Sequence, residues 1–303
     1  MAMSALAVAD TKKASPQRRA SWVAFALLLP GLAYLALFFV VPFVSLLMTS
    51  FGVNDTSQYG AFYYAFNWQN YVDVIAEYWP QFLRSFWYAL LATLFALLIS
   101  YPIAYFIGVV LRDRPLIRNL LLVLVIAPFF ISFLLRTLAW KALFADEGPV
   151  VGFLQTIGLF GPQDHITGTG FAVVFGLTYN FIPFMTLPLF ASLDRLDTRL
   201  LEASSDLYAT PGQTFWRVTF PLSLPGVVSG TLLTFIPASG DYVNASQAFL
   251  GSPSTTMIGN VIQSKFLITV NYPQAADLSI LLMAVILIIV GSYVRRTGTD
   301  DLL

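Results

Sequence analysis

Six runs of this sequence are apolar over about the length a helix needs to cross the hydrocarbon of a bilayer, roughly 20 residues. They lie at about 22–49, 82–111, 118–144, 170–193, 219–243 and 276–294. A strand would cross in about half that length, with apolar and polar residues alternating. Stretches such as LLLVLVIAPFF at 120–130 and LSILLMAVILIIV at 278–290 do not alternate, so the runs predict helices. Composition agrees: 57% of the residues are hydrophobic and 11% charged, with a mean hydropathy of +0.74. That leaves too little polar surface to cover a soluble globule. The expected fold class is an all-α integral membrane protein with six transmembrane helices. Pro30 and Pro42 in the first run read as tolerated kinks. The fifth run is the least regular, interrupted by Gly226, Gly230, Pro237 and Gly240; Gly226-x-x-x-Gly230 suits close helix approach.

The positions of the basic residues set an orientation. Lys12, Lys13, Arg18 and Arg19 precede the first run, and Arg112, Arg114 and Arg118 lie between the second and third. Arg195, Arg199 and Arg217 lie between the fourth and fifth, and Arg295 and Arg296 follow the sixth, so twelve of the sixteen Lys and Arg fall on one side. Basic residues are retained in cytoplasmic loops. Both ends are therefore expected inside, with a cytoplasmic tail over 1–21, a membrane domain over 22–296 and a second tail over 297–303. A basic start before an apolar run is also the mark of a signal peptide, but residues 22–49 run well past the ~7–15 residues of such a core. The outer loops, 50–81, 145–169 and 244–275, are acidic in the first two cases through Asp55, Asp73, Glu77, Asp146, Glu147 and Asp164. Exclusion of basic residues from translocated loops gives that cast without any function. Trp68, Tyr71, Tyr78 and Trp79 fit an interfacial aromatic belt, and Arg136 and Lys141 fit side chains snorkelling from the outer end of the third run.

Several chemistries are unsupported. There is no cysteine, and the single histidine, His165, has only Asp164 beside it, too few ligands for a metal. No nucleophile, base and acid fall into a catalytic arrangement. No G-x-x-x-x-G-K-[ST] phosphate loop occurs, so nucleotide phosphates are not cradled by that route. The sixteen basic and sixteen acidic residues cancel and give no field for nucleic acid.

One polar segment stands apart, SLDRLDTRLLEASSDLYATPGQTFWRVTFPLSLPG at 192–226. It predicts a short helix from Asp197 to Leu207, a break over Tyr208 to Gly212, and a second helix starting at Pro211 or Gly212 and meeting Pro221. Leu196, Leu200, Ala203 and Leu207 recur at helical spacing as an apolar stripe. Such a helix at a membrane face can lie on lipid, pack on its own bundle or dock a partner.

This segment resembles the coupling loop of type I ABC importer permeases, whose pattern is E-A-A, three residues, Gly, nine residues, Ile, any residue, Leu-Pro. Glu202, Ala203 and Ser204 stand at E-A-A, Tyr208 at the Gly, Val218 at the Ile and Phe220-Pro221 at the Leu-Pro, with the spacing kept. The departure at Tyr208 matters most: where that position demands positive φ, a bulky residue is strained, and Gly212 is the alternative site for the turn. The resemblance implies a six-helix permease bundle with a coupling helix between spans four and five, in a loop over 193–220. Glu202, Ala203, Ser204, Leu207, Tyr208 and Gly212 would meet a separate ABC ATPase that holds ATP and Mg²⁺, this chain carrying no cofactor.

The stretch 232–267 is similar to spermidine/putrescine-type permeases, with Phe235-Ile236-Pro237-Ala238 and Gly240, then Met257 to Gln263. That resemblance implies a second homologous permease subunit, an extracellular or periplasmic polyamine-binding protein and a bacterial inner-membrane location. Related permeases for an inorganic anion or iron chelate share parts of the pattern, and a channel or secondary transporter would place ionisable groups mid-membrane. On the substrate path the candidates are Asp241, whose carboxylate can pair with an ammonium, and Tyr242, whose ring can attract one by cation–π contact. The competing reading of Asp241 is a carboxylate in the outer headgroup region.

Overall fold

The computed structural model describes residues 18–297 apart from 56 and 59. The two terminal tails lie almost wholly outside the described residues. The chain divides into two compact units, one up to Met48 and one from Thr49 onward.

In the first unit, α1 (Arg18–Leu35) passes through one wide π turn, Ala36–Val40, into α2 (Val41–Ser50). The stretch Phe25–Ser50 is a candidate span of 26 residues. Pro30 sits inside α1 without ending it.

The second unit opens with a small hairpin, β1 (Gly52–Asn54) antiparallel to β2 (Phe62–Tyr64). The helices that follow are α3 (Gln69–Tyr105), α4 (Pro115–Ile126), α5 (Phe133–Phe144), α6 (Pro149–Thr156) and α7 (Gly170–Asp194). Then come α8 (Thr198–Asp206), α9 (Pro211–Thr214), α10 (Phe220–Ser239), α11 (Ile258–Leu267) and α12 (Tyr272–Thr297). Among the described residues five helical stretches are long and apolar enough to cross a membrane, and a bent pair makes a sixth when counted as one.

That bent pair corrects the reading of 118–144 as a continuous helix. After α4 the chain tightens into a 3₁₀ turn, Ala127–Phe130. Ile131 (φ −104°, ψ 135°) is extended and α5 starts after Ser132. The two arms meet at 93°. Pro128 supplies no N–H and resists continuation of the helix. The second run is also longer than expected, one helical stretch of 42 residues from Gln69 to Val110, so Tyr71 and Tyr78 stand on a helix rather than in a loop.

The core sits between α3, α7 and α10, and α3 shows how. Between Ser85 and Ser100 its inward positions are small: Ser85, Ala89, Ala92, Thr93, Ala96 and Ser100 are all buried. Its outward positions are large: Leu83, Trp87, Leu90, Leu94 and Leu98 are exposed. A soluble helix has the reverse arrangement. Hydrocarbon removes any benefit from hiding leucine, so small residues are placed where backbones must approach. Polar contacts cross the same seams, Thr186 Oγ1 to Ser100 Oγ at 2.9 Å and Tyr101 to Ser223 at 2.8 Å. Around this core, α11 and α12 pack on α3 through Val74, Phe82, Ile258 and Leu278, and Phe144, Val151 and Ala172 join α5 and α6 to α7.

Gly226 and Gly230 carry α10 against α7. A Cβ at Gly226 would lie 2.6 Å from Ser192 Cβ and 2.8 Å from Pro188 O, and one at Gly230 would lie 2.7 Å from Met185 Sδ. Gly226→Val is expected to destabilise by about 1–3 kcal/mol, read as a lower thermal midpoint of the detergent-purified protein. Gly291→Ala, which meets open space on α12, is expected to leave the midpoint unchanged or raise it slightly. Equal midpoints for Gly226→Val and the parent would contradict this packing.

Candidate functional site

The polar segment folds as the sequence predicts at its start. Asp197 is the N-cap of α8, its carboxylate accepting the Arg199 N–H at 3.0 Å, which satisfies one of the orphan donors of the first turn. The helix ends at Tyr208, which has φ +59°. Tyr208 N–H donates to Ser205 O at 2.9 Å and Ala209 N–H to Ser204 O at 3.0 Å. These two bonds form the Schellman motif, whose left-handed residue is ordinarily glycine. The turn is therefore built at Tyr208 and not at Gly212, which lies inside α9. Tyr208 is 96% exposed, so its ring meets no steric obstacle beyond its own backbone.

Thr210 then starts a new helix through a capping box with Gln213: Gln213 N–H donates to Thr210 Oγ1 at 3.3 Å and Thr210 N–H to Gln213 Oε1 at 2.9 Å. Pro211 occupies the first helical position, where a missing N–H costs nothing. The second helix does not stop at Pro221. A π turn over Phe215–Thr219 carries α9 into α10, one helical stretch of 29 residues from Pro211 to Ser239. The polar segment is thus continuous with the fifth membrane helix.

Ser204 ties the two arms together. It is buried, its hydroxyl donates to Leu201 O at 2.7 Å, and it lies 2.8 Å from Thr214 Oγ1. At the other end two arginines hold the root of the segment. Arg112 donates to Leu196 O at 2.9 Å and to Asp194 O, while Arg118 pairs with Asp194 Oδ2 at 2.9 Å. The sequence marks these arginines only as indicators of sidedness. Their second role is to hold the C-terminus of α7, where positive charge is favoured, Arg112 through backbone carbonyls and Arg118 through the Asp194 carboxylate.

The apolar stripe does not turn inward as one face. Leu196 is buried, but Leu200 (46%) and Leu207 (81%) are exposed, as are Ala203 and Glu202. With Tyr208 and Trp216 they form an uncovered surface. Beside it a groove of about 590 Å³ runs between α7, the start of α8 and α10, lined by Ser192, Asp197, Leu200, Leu222 and Gly226 among others.

Asp241 and Tyr242 sit on the turn after α10 and differ in surroundings. Asp241 is 8% exposed and Tyr242 48%. The Asp241 carboxylate accepts Asn244 N–H at 2.8 Å and Asn244 Nδ2–H at 3.2 Å, and Asn180 joins Asn244 Oδ1 and Thr137 Oγ1 at 3.2 Å each. The two motif stretches after 232 prove to be halves of one contact. Asn260 Nδ2 donates to Tyr242 O at 2.6 Å, and a Cβ on Gly259 would come 2.6 Å from Asp241 O. The glycine is required by that approach. Arg136 is buried rather than snorkelling, its guanidinium 5.8 Å from the Phe133 ring. His165 is exposed, and no group of three or more metal-ligating side chains occurs among the described residues.

Comparison with known proteins agrees with this architecture. Residues 100–297 match the family described as "Binding-protein-dependent transport system inner membrane component". The chain is 35% identical over 267 residues to the spermidine/putrescine transport system permease protein PotB of Haemophilus influenzae, covering 87% of this chain and 90% of that one. It is 34% identical to PotB of Escherichia coli K12, covering 87% and 94%. In fold it is similar to a chain of a bacterial alginate ABC transporter solved in complex with an alginate pentasaccharide-bound periplasmic protein. The TM-score is 0.63 at 20% identity, over 90% of this chain and 92% of that one. It is also similar to a chain of the MetNI methionine ABC transporter in an inward-facing conformation, with TM-score 0.54 at 21% identity, over 72% and 95%.

A non-glycine residue in left-handed backbone costs about 1–2 kcal/mol. Tyr208→Gly is therefore expected to raise the thermal midpoint of the purified protein, whereas Gly212→Ala, at a helical position with open space around it, should be neutral or mildly stabilising. A destabilised Gly212→Ala would contradict the assignment of the turn.

Proposed function

Because this chain belongs to the family of binding-protein-dependent transport system inner membrane components, we propose that it is the permease subunit of an ABC importer that carries spermidine and putrescine. In this reading ATP is hydrolysed with Mg²⁺ by separate ATPase subunits. A second homologous permease completes the path, and an external polyamine-binding protein delivers the solute. The chain itself performs no catalysis. It is an integral inner-membrane protein, and we place both termini and the segment 193–220 on the cytoplasmic side, in keeping with the distribution of Lys and Arg.

The observation that carries the proposal is the exposed surface of Glu202, Ala203, Leu207 and Tyr208 on and just after a short helix, α8, tied through Ser204 and Thr214 to the arm that runs on into a membrane helix. A rigid body seated on that surface would move α10 directly, because the capping box at Thr210 and the Ser204–Thr214 contact leave little slack between α8 and α9. The arginine clamp at Asp194 does the same for α7. Closure of two ATPase subunits would thereby be transmitted to both helices flanking the core. Ser204 serves this joint from within by tying the arms, and Gly212 lies inside α9.

On the solute path we assign contact to Tyr242, which is open, and a supporting electrostatic role to Asp241, whose carboxylate is held by Asn244. Tyr242→Ala would remove a cation–π contact worth about 0.5–2 kcal/mol. The expected result is a roughly twofold to thirtyfold higher KM for labelled spermidine, with ATPase subunits still bound. Glu202→Lys should abolish uptake by the reconstituted importer and weaken co-purification of the ATPase while leaving membrane insertion intact. Undiminished uptake in Glu202→Lys would overturn the coupling role, and an unchanged KM in Tyr242→Ala would overturn the path assignment.

A further inference from the structure

Asp277 stands on α12 with its side chain wholly buried (0% exposed), and neither carboxylate oxygen has a hydrogen-bond partner among the described residues. A carboxylate taken out of water is ordinarily paired or hydrogen-bonded, since otherwise nothing replaces its hydration. Asp277 lines a cavity of about 180 Å³ between the hairpin, the start of α3 and the start of α12, together with Asn54, Asn70, Asp73, Asn271 and Gln274. Among the described residues that line it, none is Lys, Arg or His.

The amides around the cavity do not donate to Asp277. Asn70 Nδ2 donates to Ser50 O at 3.1 Å and Gly52 O at 2.8 Å, Asn271 Nδ2 to Gln274 Oε1 at 3.1 Å, and Gln274 Nε2 to Glu77 Oε2 at 3.3 Å. Lys265, the base on neighbouring α11, lies 5.5 Å from the Tyr78 ring and forms no ion pair with Asp277. Asp73 is exposed and adds a second carboxylate, with one oxygen accepting Gln69 Nε2–H at 3.2 Å. The result is a small chamber with two carboxyl groups and no built-in counter-charge.

We propose that this chamber binds one primary ammonium group, with Asp277 as its buried counter-charge and Asp73 as its exposed second carboxylate. An ammonium brings three N–H donors, which suits two unpartnered oxygens on Asp277 and a further oxygen on Asp73. A Ca²⁺ ion would require six to eight oxygens, and no set of three acidic or histidine ligands converges among the described residues. The site is built from residues other than Asp241, Tyr242 and the coupling segment, so its failure and the failure of those assignments are distinguishable.

The test is the thermal midpoint of the purified, assembled importer titrated with methylammonium chloride, with tetramethylammonium chloride and sodium chloride at matched ionic strength as references. A ligand that binds the folded state raises the midpoint as its concentration passes its dissociation constant. Methylammonium is expected to raise it, and tetramethylammonium, which has no N–H, is not. Loss of a charged hydrogen bond corresponds to a roughly tenfold to hundredfold higher half-saturating concentration, which is the shift expected for Asp277→Asn. The same variant without ligand is expected to be at least as stable as the parent, because it removes an uncompensated charge. If Asp277→Asn does not assemble, Asp277→Glu must retain the methylammonium response and Asp73→Asn must weaken it. No response in the parent, an unchanged half-saturation in Asp277→Asn or Asp73→Asn, or an equal response to sodium would each overturn the ammonium site.

Discussion

A polypeptide in hydrocarbon has no water to hydrogen-bond its backbone, so each membrane segment must satisfy itself as a helix and the helices must then be held by close approach. The whole of the second unit follows from that constraint. Alanine and serine from the middle of α3 and glycine from α10 lie against α7, and leucine and tryptophan on the other side of α3 face outward. At two of the places where the chain departs from regular helix, polar side chains take over the backbone's needs. Asp241 accepts the Asn244 N–H after α10 ends, and Ser85 Oγ accepts the Ile258 N–H at 2.7 Å where α11 begins.

The same constraint bears on the joint proposed for the polar segment. A flexible loop would absorb a push, whereas this segment is short, capped at both breaks and fused to α10. Its one residue with positive φ, Tyr208, marks the break between the two arms. The arginines from the 112–118 loop fasten the other end to α7. Two of the three core helices are therefore addressed from a single exposed surface.

Much of this was legible in the sequence because membrane segments write themselves as composition. The six runs, a short helix from Asp197, a second starting at Pro211 or Gly212 and the close approach at Gly226 and Gly230 all follow from local chemistry. Three features were not legible. The 93° bend in the third run leaves no mark in hydropathy, because both arms are apolar and only Pro128 hints at it. The continuity from Pro211 through Pro221 was hidden because proline reads as a stop, and a π turn precedes it here. The work done by Arg112, Asn180, Asn244 and Asn260 depends on contacts far along the chain, which residue spacing does not encode. Tyr208 lies between these cases: the E-A-A spacing identified the position, and only the backbone revealed that it keeps positive φ without glycine.

The account depends most on where the exposed helix α8 faces. The chain has no cysteine, so Leu207→Cys introduces a single thiol at a position 81% exposed. Intact cells and inverted membrane vesicles carrying this variant can be treated with a membrane-impermeant maleimide. The expected result is labelling in inverted vesicles, protection when the ATPase is assembled, and no labelling in intact cells. Labelling of intact cells would contradict the central claim.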